Sequence, residues 1–145
     1  MPRILSVDWG ERRIGLAVSD PTGLIATGLE TVVVRTIEQA LARIAALAAE
    51  HEVERIVVGL PLLMSGRAGT AAETATRFAA ALAEKSGLPV ETYDERLTSA
   101  MSERRLREVG VRTGHQRARV DQGAAVALLE SYLMRLKSRA TDAEP

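Results

Sequence analysis

A short apolar strand, Ile4-Leu5-Ser6-Val7, ends on an acid, Asp8, and a second strand, Ile14-Gly15-Leu16-Ala17-Val18, begins almost at once. That spacing constrains the fold more than any other feature of the chain. Two strands joined so tightly pair antiparallel, because a parallel return needs a crossover of about a dozen residues or more. A dinucleotide-binding fold would need a glycine-rich turn leading from its first strand into a helix. Here Asp8-Trp9-Gly10-Glu11-Arg12-Arg13 leads into another strand. Gly10 has no Cβ and lets the backbone turn sharply. Asp8 is thereby held on a sheet edge, a poor place for a core residue and a good one for chemistry.

Further along, strand and helix signals alternate. The first two strands span Arg3–Asp8 and Arg13–Ser19, and Pro21-Thr22-Gly23 reads as a turn beginning at Asp20. Three consecutive valines place a third strand at Thr31–Arg35. Thr36 and Gln39 form a capping box ahead of a helix with Ile37, Leu41, Ile44 and Ala48 on one face. A fourth strand, Arg55–Leu60, is apolar enough to be covered on both faces, as in a parallel sheet. Pro61–Gly69 is a loop, and Thr70 with Glu73 predicts a second capping box. The helix behind it shows Ala71, Ala75, Phe78 and Leu82 on one side and ends near Gly87. Pro89–Tyr93 is the fifth strand. Thr98 caps a helix that reaches Val109, Val111–Arg119 is a basic loop, and a last helix runs from about Val120 to Leu136.

Three strands on short turns make an antiparallel meander, and the later strands, reached through helices, are parallel. The expectation is an α/β fold with a mixed five-stranded sheet flanked by helices, of ribonuclease H-like architecture. It forms a single domain over residues 1–137, and residues 138–145 form a disordered C-terminal tail.

Composition removes several function classes. The 145 residues are 46% apolar, enough for one substantial core. There is no cysteine, which excludes disulfides, zinc–thiolate sites and a cysteine nucleophile. No apolar run approaches the roughly 20 residues that span a bilayer, and no signal peptide is evident. A cytoplasmic protein without a membrane partner is expected. Nineteen basic and nineteen acidic residues cancel, yet Arg96 to Val120 holds seven arginines against two glutamates. That local excess is either a phosphate-binding face or a solvated helix surface, and on charge alone the latter is favoured.

Asp8 acquires two candidate partners. Glu95 follows the fifth strand in Tyr93-Asp94-Glu95-Arg96-Leu97-Thr98, and Asp121 opens the last helix in Val120-Asp121-Gln122-Gly123-Ala124-Ala125. The carboxyl ends of parallel strands share one edge, where ligands bind. Ala124 and Ala125 are small enough to bring the helix close. Converging carboxylates repel unless cations neutralise them. Hard oxygen donors select Mg²⁺ or Mn²⁺, the ions of phosphodiester hydrolysis. Taken singly, each acid is better explained as a turn former or a helix-dipole residue.

These segments together resemble the YqgF-type family of pre-16S rRNA nucleases, also described as Holliday-junction-resolvase-like. The stretch from Asp8 to Asp20 is similar to its first motif, and Val58-Gly59-Leu60-Pro61-Leu62-Leu63-Met64-Ser65-Gly66 to its second. Tyr93-Asp94-Glu95-Arg96-Leu97-Thr98-Ser99 is similar to the third. Val120-Asp121-Gln122-Gly123-Ala124-Ala125, with Ser131-Tyr132-Leu133 behind it, is similar to the fourth. The resemblance implies a ribonuclease H-like fold, a cytoplasmic location and a role in maturing the 5′ end of 16S rRNA in ribosome biogenesis. It implies Asp8, Glu95 and Asp121 as the catalytic, metal-binding triad. The partners would be precursor rRNA or other structured nucleic acid, and pre-30S ribosomal particles. Ser65 stands where the family often has an acid, and Arg67 where it often has a small polar residue. Both bear on substrate contacts rather than on metal binding.

Five arginines are candidate phosphate contacts: Arg12, Arg13, Arg96, Arg117 and Arg119. Arg12 is equally a solvated turn residue, and Arg96 equally a partner for Asp94. Arg117 and Arg119 precede Asp121 near a helix N-terminus, which favours anions. Trp9 could stack on a base, but packing is the expectation. His51 and His115 read as surface residues. Four functions stay open. They are a metal-dependent ribonuclease, a resolvase of four-way DNA junctions, a non-catalytic ribosome-assembly module, and an actin-like sugar kinase, for which the chain has room for only one of two domains. The protein would be a monomer or a homodimer.

Overall fold

A computed structural model describes residues 2–63, 65–96 and 114–143, with side chains in the last helix described over 122–139. Six strands and three helices occur among these residues. They are β1 (Arg3–Asp8), β2 (Arg13–Ser19), β3 (Ala26–Gly28), β4 (Val32–Val33), α1 (Ile37–Glu50), β5 (Val53–Leu60), α2 (Thr70–Ser86), β6 (Val90–Asp94) and α3 (Gly114–Ala143). The sheet runs β3-β2-β1-β5-β6, with β4 paired to β2 off this path. β1 and β2 are antiparallel, with Asp8 opposite Gly15. β5 lies parallel to β1 and β6 parallel to β5. The antiparallel start and parallel finish follow from the connections: short turns first, then helical crossovers.

The strands alternate cleanly between two covered faces. Leu5, Val7 and Trp9 of the β1 segment join Ile44 and Leu47 of α1, and Phe78 and Leu82 of α2, in one core. Ile4, Ala17 and Val57 meet Ala125, Leu129, Tyr132 and Leu133 of α3 on the other. Trp9 is buried and stacks on Phe78 with ring centroids 4.4 Å apart, so it packs rather than reads bases.

Several local expectations are corrected. The third strand is not Thr31–Arg35. Ala26–Gly28 pairs with β2 instead, and the valine run contributes only Val32–Val33 against Arg13 and Ile14. Val32 is buried while Val33 is exposed. The run is therefore an edge fragment, and pairing with β2 outweighs the strand propensity of its flanks. The β2–β3 turn is organised by Asp20, whose carboxylate accepts from the Thr22, Leu24 and Ile25 amides and from the Thr22 hydroxyl. Those bonds hold its carboxyl well below the usual range.

Thr36 caps α1, accepting from the Gln39 amide at 3.1 Å. The buried positions of α1 include Ala40 and Leu47 beside Ile44 and Ala48, and Ile37 is exposed. The second capping box does not form, because Gly69 is the cap of α2 and Thr70 is already helical. Ala72, not Ala71, faces the core of that helix, whose end at Gly87 is left-handed with φ 71°. The last helix begins at Gly114, so residues 114–119 are helical rather than loop. It runs on to Ala143, through most of the stretch expected to be a disordered tail. The helix expected from Thr98 to Val109 lies outside the described residues.

Candidate active site

Alternation along β1 decides which way Asp8 faces. Leu5, Val7 and Trp9 point to α1 and α2, so Ile4, Ser6 and Asp8 point to α3. Ser6 makes that docking explicit. It is fully buried, and its hydroxyl donates to the Ala125 carbonyl at 2.7 Å. Next to β1, Val7 pairs with Val58, which sets Asp8 beside Gly59 on β5. Gly59 in turn pairs with Tyr93, and Leu60 with Asp94. Glu95 follows directly, its amide 3.5 Å from the Leu60 carbonyl. Asp8 and Glu95 thus flank the end of β5 at the carboxyl edge of the parallel strands, and both are fully buried.

Gly59 is what lets Glu95 in. A Cβ built there would overlap the Glu95 Oε2 and stand 3.2 Å from Leu128 Cδ2. The position needs glycine for close approach rather than for an unusual φ. Gly28 serves α3 similarly, since a Cβ on it would lie 2.8 Å from Gln122 Oε1.

The register of α3 sets where Asp121 falls along the sheet. Tyr132 hydrogen-bonds Arg55 in the row of Ile4, and Ala125 meets Ser6. The helix therefore runs opposite to β1. Four residues back from Ala125 is one turn, about 6 Å. Two residues on from Ser6 is about 6.6 Å of strand. Asp121 lies one turn of α3 before Ala125, toward the end of β1 that carries Asp8, and its side chain lies outside those described. Among the described residues no group of three or more His, Asp or Glu forms a metal cluster; Asp8 and Glu95 are two acids at one edge. Those two fit a hard cation. They are fully buried oxygen donors on one edge, the ligand type that hard divalent cations take.

The arginines divide. Arg12 is exposed on the β1–β2 turn, and its carbonyl accepts from the Val34 amide at 2.8 Å. Arg13, half-buried, opens β2 opposite Val33. Arg96 is held by Asp94, with Nη2 2.8 Å from Oδ2 and Nε close to both oxygens. That guanidinium keeps the Asp94 carboxyl below its usual range. Gly66, at φ 89°, brings the Pro61–Gly69 loop onto the same group, with room for Arg96 Nη1 where a Cβ would otherwise point. Ser65 and Arg67 are exposed in that loop. Arg117 and Arg119 lie on α3, and their side chains, like that of His115, fall outside the described set.

Ser6 and Gly59 escape a reading of the sequence for acids and arginines. Their signals were a lone hydroxyl in an apolar strand and a lone glycine in another.

Comparison with known proteins bears on what these residues share. Residues 2–135 match the family described as RuvX: Holliday junction resolvase. The chain belongs to the RuvX family. A relative from Chloroflexus aggregans is 48% identical over 130 residues, covering 90% of this chain and 92% of its own. One from Mycobacterium tuberculosis is 48% identical over 132 residues, covering 90% and 78%. Both carry the name "Putative pre-16S rRNA nuclease". Among solved structures, Thermus thermophilus RuvC in complex with a Holliday junction substrate aligns with a TM-score of 0.56 at 19% identity, covering 94% of this chain and 96% of that one. A fowlpox virus resolvase bound to junction DNA aligns at 0.55 and 12% identity, covering 92% and 98%. At those identities the likeness speaks for the fold, the mixed ribonuclease H-like sheet of this RuvX chain. No described helix is long and apolar enough to cross a membrane.

Proposed function

We propose that this protein is a divalent-metal-dependent nuclease that hydrolyses phosphodiester bonds of RNA and processes the 5′ end of pre-16S rRNA in the bacterial cytoplasm, alone or on pre-30S particles. The observation that carries the reading is the pair of fully buried carboxylates, Asp8 and Glu95, set around Gly59 at the carboxyl edge of the parallel strands. The names of relatives at 48% identity supply the substrate. Asp8, Glu95 and Asp121 would hold Mg²⁺ or Mn²⁺, which would draw charge from the phosphoryl oxygens under attack. Water adds to phosphorus and one P–O ester bond breaks. Asp8 sits on the central strand, where the sheet fixes its backbone, and Glu95 is positioned by the β5–β6 pairing. Arg12 and Arg13, with Arg117 and Arg119 on α3, would hold substrate phosphates, while Arg96 first braces Asp94.

The test offers precursor rRNA to the purified protein with Mn²⁺. Wild type should cleave and Asp8→Asn should not, while the variant keeps its fold by circular dichroism. Equal cleavage by both would sink the assignment. Manganese binding that does not depend on Asp8 would favour a non-catalytic assembly module.

The family description favours a second substrate, a four-way DNA junction. Symmetric cutting of a junction calls for a dimer with two sites. A junction offered beside the rRNA, with the oligomeric state measured, separates the two.

A further inference from the structure

The geometry points to a second nucleic-acid contact on this chain, a cleft between the edge strand β6 and the C-terminal half of α3 that takes the phosphates of the RNA strand flanking the cut site. This inference rests on the nuclease reading and extends it to a surface. The cleft is about 160 Å³ and is lined by Glu91, Tyr93, Asp94, Tyr132, Arg135 and Arg139, among others. It begins where the acidic edge ends, because Asp94 closes β6 and Glu95 follows it. A strand leaving that edge along β6 would pass over it.

The charges in the cleft are not equivalent. Asp94 is neutralised by Arg96. Glu91 lies in the field of Arg55, whose Nη1 donates to the Tyr132 hydroxyl at 3.1 Å. The two acids are therefore matched by groups within the fold. Arg135 and Arg139 are exposed, and no carboxylate among the described residues pairs with either. Arg135 is instead steadied by the ring of Tyr93, with its guanidinium carbon 5.7 Å from the centroid. That contact orients the side chain and leaves its edge N–H groups for an acceptor. Arg139 lies four residues on, one turn or about 6 Å along the helix, on the same face. Two guanidiniums at that spacing suit successive phosphates of one strand. Tyr93 is itself anchored, its hydroxyl 3.0 Å from Ser131 Oγ and its ring edge-on to Tyr132. The platform is preformed rather than a loose charged surface.

The experiment measures binding of a labelled single-stranded RNA by anisotropy across a salt titration, in EDTA so that cleavage does not intervene. It compares wild type, Arg135→Ala/Arg139→Ala and, as a remote control, Arg77→Ala on the exposed side of α2. Loss of two phosphate contacts should weaken binding about tenfold and lower the slope of log K against log salt by about 1.4, at roughly 0.7 per contact on a single strand. Arg77→Ala should change neither. Manganese binding at the Asp8 site should be the same in all three, which separates failure of this cleft from failure of the nuclease reading. An unchanged slope in the double variant would overturn the proposal, as would an equal drop in Arg77→Ala. So would a change from dimer to monomer in the double variant, which would make the cleft an interface between copies of the chain.

Discussion

Gly59→Ala probes the acidic edge without touching an acid. The added methyl would overlap Glu95 Oε2 and press on Leu128 Cδ2 at 3.2 Å. Overpacking of this kind costs about 1–3 kcal/mol. Removing the conformational freedom of a strand glycine returns about 0.5–1 kcal/mol, so the net loss should lie between about 0 and 2.5 kcal/mol. The overlapping atom is the tip of a flexible side chain, and Glu95 can relieve the clash by swinging away. Stability then falls toward the low end of that range, and the cost moves into function. A displaced carboxylate should weaken Mn²⁺ binding by about 10- to 100-fold, the scale seen when the support of a metal ligand is removed. Urea unfolding followed by the fluorescence of Trp9, the one tryptophan in the chain, reads the first quantity, and manganese titration reads the second. The same substitution in a Glu95→Ala background removes the oxygen that is struck, so its cost should shrink to the Leu128 contact. A Gly59→Ala protein with the wild-type urea midpoint and wild-type manganese affinity would refute the reasoning. So would an undiminished cost in the double variant.

Other expectations follow from single contacts. Ser6→Ala removes the buried hydrogen bond to Ala125 and should cost about 1 kcal/mol in urea unfolding; no loss would mean that α3 docks by apolar contact alone. Arg96→Ala should cost about 0.5 kcal/mol at neutral pH, because its pair with Asp94 is partly exposed. The Asp94 carboxyl titrates lower folded than unfolded, so this contribution is present above the unfolded value of about 3.9 and is lost as pH falls through the folded one. Urea midpoints of wild type and variant should therefore converge in acid. A gap that persists there would assign the effect to packing against the Gly66 loop.

Much of the fold was legible because it rests on local rules. The tight link between the first two strands dictated antiparallel pairing, and the helical crossovers dictated the parallel ones. The bounds of β1 and β2, the Thr36 cap of α1 and the glycine end of α2 follow from patterns within a few residues. The failures were also local in sequence but not in cause. Ala26–Gly28 is a three-residue edge strand with no pattern of its own, recruited by the free side of β2. Thr70 looked like a cap because of Glu73, yet the loop brings Gly69 to that position.

The acids show the same division. The chain by itself determined that Asp8 closes one strand and Glu95 follows another, since hydrophobic period and turn chemistry act over neighbouring residues. Only tertiary structure decided that the two flank Gly59 on one face, because sheet order and register depend on contacts between distant segments. It also decided that Ser6 seats α3 through the Ala125 carbonyl. The hydroxyl and the missing Cβ act only across gaps of a few ångströms, and nothing nearby in the sequence reveals which gaps those are.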